Sequence, residues 1–250
     1  MNSFVEVAGL VFVGFVAGAI NTLAGGGSLL TLPILIFLGL PPNIANATNR
    51  IAILFQNIFT TAGFKSKGIV TFPFSIYLGI SALLGSILGA QIAVDIKGDI
   101  FNKILAIIMV LVVGLMVFKP NSKQFNLIER TSGKHLWIST ILFFFVGVYG
   151  GFIQAGVGFI MLLILSSLNN ISLVKSNAIK VTVVLIYTIS AVIVFAYNDV
   201  INWKIGLILA LGNASGGWLA SRWSVNKGDG LIKKFLIVMV VLMAIKLWFF

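Results

Sequence analysis

Cysteine is absent from the 250-residue chain, which excludes disulfides, thiolate metal ligands and a cysteine nucleophile. The single histidine, His135, excludes a histidine metal cluster and reads as an interfacial residue at the end of an apolar segment. Charge is scarce too, at 9% of residues, against about 25% in a soluble domain. The six carboxylates, Glu6, Asp95, Asp99, Glu129, Asp199 and Asp229, all fall between apolar segments or at their ends. Neither a carboxylate proton relay nor a sodium cage is therefore expected at mid-membrane. No glycine run is followed by Gly-Lys-Ser or Gly-Lys-Thr, so nucleotide hydrolysis is not expected. No Ser/His/Asp constellation supports an enzyme, and no cofactor or metal is implied.

What the chain does contain is apolar. Hydrophobic residues reach 59% and mean hydropathy is +1.11, the composition of an all-α integral membrane protein. The formal charge of +11 comes from Lys and Arg clustered between apolar segments. Cytoplasmic basic loops explain this more simply than a nucleic-acid partner. Apolar runs fall at 4–24, 28–40, 44–64, 72–94, 101–118, 135–155, 159–168, 172–197, 202–222 and 231–249, and the second and seventh are short. The first lacks a basic leader and reads as a membrane segment rather than a signal peptide.

The most informative stretch is Asn21 to Ile51. Gly25, Gly26 and Gly27 interrupt an apolar segment, and glycine lets the backbone leave helical geometry without steric cost. A helix should break there and restart as one too short to cross a bilayer. Unwound backbone at membrane depth is tolerated only where it is buried in protein or lines a polar cavity. The restarted helix opens either at Ser28 or near Thr31, with Pro33 in its first turns, and its N-terminus favours an anion. Arg50 follows with Asn46, Thr48 and Asn49 beside it.

The second half repeats this pattern at an offset of 131 residues. Gly25 and Gly27 fall on Gly156 and Gly158, Asn46 on Asn177, Phe72 on Trp203, Gly85 on Gly216, and Lys103 on Lys234. With a shift of two, Gly14, Gly18 and Asn21 meet Gly147, Gly151 and Gln154. Five segments per half is odd, so the halves should be inverted across the membrane, each with a glycine-broken short helix. The expected organisation is a first repeat over 1–118, a cytoplasmic linker over 119–134 and a second repeat over 135–250. Basic loops around Lys65 and Lys67, the linker, and Arg222 to Lys234 alternate with loops whose charge is balanced. That alternation puts both termini outside. The pairs Gly14–Gly18, Gly85–Gly89 and Gly147–Gly151 are expected to serve close helix packing, and the tryptophans an interfacial belt facing membrane lipid.

The broken helix with its proline, the L-P-P-N-I-A-N-A-T-N-R segment, and the Q-A-G-V-G and S-N-A-I-K segments of the second half resemble the TauE/SafE (TSUP) family of sulfite and organosulfonate transporters. The resemblance spans nearly the whole chain. It implies a transporter of small sulfur-containing anions that works without ATP at the cytoplasmic membrane; the resemblance fixes neither substrate nor direction, and a membrane potential positive outside, which pulls anions outward, favours a secondary exporter over an importer. The second glycine loop departs from the first in having G-V-G and no proline.

Arg50 and Lys180 lie within apolar segments, where a cation costs about 2.5–3.5 kcal/mol on insertion scales. A guanidinium fork matches two oxygens of a sulfonate or sulfite, whereas an ammonium acts as a point charge. The expected substrate site is Asn21, Gly25, Gly26, Gly27, Ser28, Asn46, Thr48, Asn49 and Arg50 from the first half, with Gln154, Gly156, Gly158, Asn177 and Lys180 from the second. Gln56 is a weaker candidate. Alternative readings are an anion channel with the loops as a static filter, or a non-transporting assembly subunit. The sequence is compatible with a homo-oligomer.

Overall fold

The computed structural model describes residues 4–96, 98–101, 103–104, 107 and 128–227. The expected spans at 101–118 and 231–249 and most of the linker lie outside the described residues. Among those residues the elements are helices: α1 (Phe4–Ala24), α2 (Ser28–Phe37), α3 (Pro42–Lys65), α4 (Phe74–Asp95), α5 (Gly133–Phe152), α6 (Val157–Ser167), α7 (Leu173–Tyr197) and α8 (Trp203–Lys227). The fold is all-α.

Both expected breaks occur where glycine permits them. Gly25 at φ +84 ends α1, and Gly156 at φ +74 separates α5 from α6, a left-handed geometry that a Cβ disfavours. The short helix α2 opens at Ser28 without a side-chain cap and carries Pro33 inside it. Helix α3 opens on Pro42, whose missing N–H is no loss in a first turn. Helix α7 is capped by Ser172, whose hydroxyl accepts from the Lys175 amide at 3.3 Å.

Among the described residues four helices, α1, α4, α5 and α7, are long and apolar enough to cross a membrane. On α4, Tyr77, Ile80, Leu84, Leu88 and Ile92 form an exposed apolar stripe, while Leu78, Ala82, Gly85 and Gly89 are buried. A stripe of that length facing outward suits lipid and not water. Helix α3 is as long but more polar, because Asn46, Thr48, Asn49, Arg50, Gln56, Asn57 and Thr60 are buried in the protein.

The helices pack in an exchange pattern. Helix α1 lies on α8 and α5 on α4; α3 lies on α8 and α7 on α4; α3 and α7 meet each other. Glycines make these approaches close. A Cβ at Gly85 or Gly89 would strike the carbonyls of Phe144 or Val148, and one at Gly147 or Gly151 those of Ala82 or Ser86. Across α1 and α8 the same holds for Gly14 against Leu209 and Gly18 against Asn213. A fourth pair, Gly212 and Gly216, faces the carbonyls of Val11 and Phe15. Backbones meeting this closely gain dispersion and bury little polar surface, the usual means of helix association where lipid is the solvent.

Candidate functional site

The two breaks meet. A Cβ on Gly25 would strike Gly158, and one on Gly158 would strike Gly25. Leu23, Ala24, Ile153, Ala155 and Phe159 surround them in one buried apolar cluster. The start of α2 and the start of α6 therefore share a buried, largely apolar centre with the C-terminal ends of α1 and α5.

Each end is held by a side chain arriving from a helix of the opposite half. Asn46 on α3 donates from Nδ2 to the Phe152 carbonyl at the end of α5, at 2.8 Å. Asn177 on α7, 131 residues further along the chain, donates to the Leu23 carbonyl near the end of α1, at 3.1 Å. These carbonyls lack intrahelical donors, and the helix dipole makes them the negative end. The cations add charge to the same task.

Arg50 is fully buried. Its Nη1 donates to the Gly150 carbonyl and to Gln154 Oε1, while Nη2 donates to the Gly151 carbonyl at 3.0 Å and to Asn46 Oδ1 at 3.3 Å. The Phe195 ring lies 5.7 Å from the guanidinium carbon. The Nε–H alone has no acceptor. Lys180 reaches the other end: Nζ donates to the carbonyls of Asn21 at 2.8 Å and Thr22 at 3.0 Å and to Asn177 Oδ1 at 2.6 Å. Neither cation has a carboxylate partner among the described residues; the ion pair found there, Lys175 with Glu129 at 2.7 Å, lies at the surface.

Beyond Arg50 and Lys180, the sequence candidates take different places. Asn21, Asn46, Gln154 and Asn177 contact the cations, and Gly25 and Gly158 form the crossing. Gly26 packs against the Phe159 ring and Gly27 against Ala17 and Asn21, while Gly156 supplies the second left-handed turn. Ser28 and Asn49 instead join α2 to α3: Asn49 donates to Ser28 Oγ at 3.3 Å and accepts from Thr31 Oγ1 at 2.8 Å. Thr48 stands apart, its hydroxyl accepting from the Asn202 amide at 2.9 Å in the connection into α8.

Two tyrosines stand here beyond the expected residues, and the weaker candidate Gln56 joins them. Tyr187 donates to Gln154 Oε1 at 2.9 Å, and Tyr149 donates to the Ala155 carbonyl. Gln56 accepts from Asn21 Nδ2 at 3.0 Å and donates to Thr22 Oγ1 at 3.3 Å. The 131-residue offset contained the signal, because it places Gln56 on Tyr187 just as the shifted register places Asn21 on Gln154. The two ends are thus built alike, Asn21 with Gln56 and Gln154 with Tyr187. Tyr187→Phe removes one buried donor from Gln154, about 1 kcal/mol. It is expected to lower the thermal unfolding midpoint by about 2–4 °C.

The chain matches the family described as sulfite exporter TauE/SafE over residues 10–247. It is 29% identical over 249 residues to a "Probable membrane transporter protein" of Haemophilus influenzae, covering 99% of this chain and 96% of that one. A "Probable membrane transporter protein ORF9" of Sinorhizobium sp is 27% identical over 245 residues, covering 98% and 93%. The Escherichia coli K12 protein "Probable membrane transporter protein YfcA" is 27% identical over 238 residues, covering 95% and 88%. No solved structure matches. A whole-length profile match, transporter-named relatives and apolar spanning helices converge: the chain belongs to the sulfite exporter TauE/SafE family and is a multi-pass membrane transporter.

Proposed function

We propose that this transporter carries a small sulfur-containing anion, such as sulfite or an organosulfonate, outward across the cytoplasmic membrane by alternating access. One observation carries the reading: two buried cations, Arg50 and Lys180, lie at the facing breaks without a carboxylate partner among the described residues. An uncompensated buried ion costs several kcal/mol, and the carbonyls at a helix end offset only part of a full positive charge. A transported anion is the missing charge. The cations offset the negative ends of α1 and α5, leaving the positive starts of α2 and α6 to act on the ligand. The free Arg50 Nε–H is a donor in waiting.

The halves 1–118 and 135–250 are inferred to be inverted repeats, with the linker in the cytoplasm and both termini outside. The exchange packing of α1 on α8 and α5 on α4 supports the repeat, as do the reciprocal bonds of Asn46 and Asn177, and the alternation of basic loops supports the orientation. Rocking of one half against the other would open the crossing to each side in turn. A separate open groove of about 720 Å³ between α3 and α8 is lined by Phe55, Phe59, Leu207, Leu211 and Trp218 among others. It presents no charged group and does not suit an anion.

The test is uptake into proteoliposomes of labelled sulfite, sulfoacetate, thiosulfate and sulfate. Saturable uptake of a sulfite or sulfonate, accelerated by unlabelled anion inside, supports the carrier. Flux without counterflow stimulation would indicate a channel. Uptake no faster than in protein-free vesicles for every anion would overturn the reading.

A further inference from the structure

The surroundings of Lys180 Nζ are those of a small monovalent cation. Two backbone carbonyls, Asn21 O and Thr22 O, and one amide oxygen, Asn177 Oδ1, converge on it at 2.6–3.0 Å. The carbonyls come from the last turn of a helix that ends at Ala24, so the field there is negative as well as the ligands. Asn177 is itself oriented by its bond to the Leu23 carbonyl. In transporters built on discontinuous helices, the C-terminal ends and unwound carbonyls coordinate the coupling ion. Here that position is filled by a side chain 2% exposed.

We propose that the C-terminal end of α1 is a monovalent-cation site permanently occupied by the tethered ammonium of Lys180, and that the protein therefore requires no free coupling metal ion. The all-oxygen ligand set is matched to an ammonium, so removing the side chain opens a site for potassium or ammonium. The end of α5 differs. There a planar guanidinium spreads over Gly150, Gly151, Gln154 and Asn46, a shape that no monatomic ion reproduces. The statement about the oxygen cage stands without the anion reading; only the statement about coupling rests on it.

The experiment is thermal unfolding of purified Lys180→Ala in choline chloride, with potassium, ammonium, methylammonium or sodium chloride titrated in at constant ionic strength. Potassium or ammonium is expected to raise the midpoint saturably, on the order of 5 °C at concentrations well above the dissociation constant. An identical midpoint in every salt would overturn the proposal. If Lys180→Ala cannot be purified, the wild-type protein decides. Its midpoint is expected to be the same in all five salts, and a saturable rise with any one cation would show the cage to be open and overturn the proposal. Anion uptake by wild-type vesicles then separates the two readings. Equal flux in choline, sodium and potassium supports internal occupancy, and flux confined to one metal cation overturns it. Absence of flux in all three would count against the anion reading and leave the unfolding result to judge the site.

Discussion

Arg50→Gln is expected to reduce sulfur-anion flux at least about 100-fold. Loss of about 3 kcal/mol of charge-assisted bonding corresponds to that factor. The variant is also expected to be less stable, because Arg50 joins α3 to Gly150, Gly151 and Gln154 across the two halves. Glutamine can reach one or two of those acceptors and leaves the rest buried and unpaired. A cost of about 2–4 kcal/mol follows. Flux must therefore be normalised to folded protein, measured by size-exclusion chromatography before reconstitution. Lys175→Gln is the control: it also removes a cation, but one in an exposed pair with Glu129, and near-normal flux is expected. Near-normal flux in Arg50→Gln would remove the guanidinium from the transport scheme.

The second large effect is expected at the crossing of the breaks. Gly25→Ala places a Cβ on a residue with φ +84 and drives it into Gly158. Left-handed geometry costs a non-glycine residue about 1–2 kcal/mol, and overpacking a core adds about 1–3 kcal/mol. The sum is about 2–5 kcal/mol, a fall in the thermal midpoint on the order of 10 °C. Gly39→Ala separates the two terms, since Gly39 has φ +88 but nothing within 4 Å of the added atom. It should show the conformational part alone. Gly9→Ala, helical and with open space, should leave the midpoint unchanged or raise it slightly. Equal midpoints for Gly25→Ala and Gly39→Ala would mean that the breaks do not touch.

Much of the architecture could be read directly. Helix α1 spans the residues of the first apolar run, and α3 and α7 fall within two residues of theirs. Apolar length and glycine placement are local properties, and the membrane leaves helix as the form that satisfies every backbone group within one segment. The site was partly legible for the same reason. A buried cation stands out against an apolar background, so Arg50 and Lys180 were recognisable, as were the glycines beside them.

Their partners were not. Gly150 lies 100 residues from Arg50, and Asn21 159 residues from Lys180. Helical periodicity says which face a side chain occupies, not which helix it will meet. The hydrogen bonds of both cations run to carbonyls at the ends of α1 and α5, a placement that chain order alone does not give. Thr48, close to Arg50 in the chain, turns to Asn202 because its own face of α3 lies along the connection into α8. Tyr187 became relevant only once the broken end of α5 was brought against α7, and Gln56 gained a partner in Asn21 the same way.

By itself, then, the sequence determined that this is a membrane-spanning helical chain with two glycine interruptions and a strong positive charge. Those properties follow from composition and from steric rules that act within a few residues. Only the tertiary structure decided that the interruptions touch, and that each cation crosses to the other half to sit on a helix end. Packing distributes such contacts over the whole chain, and no single segment encodes them.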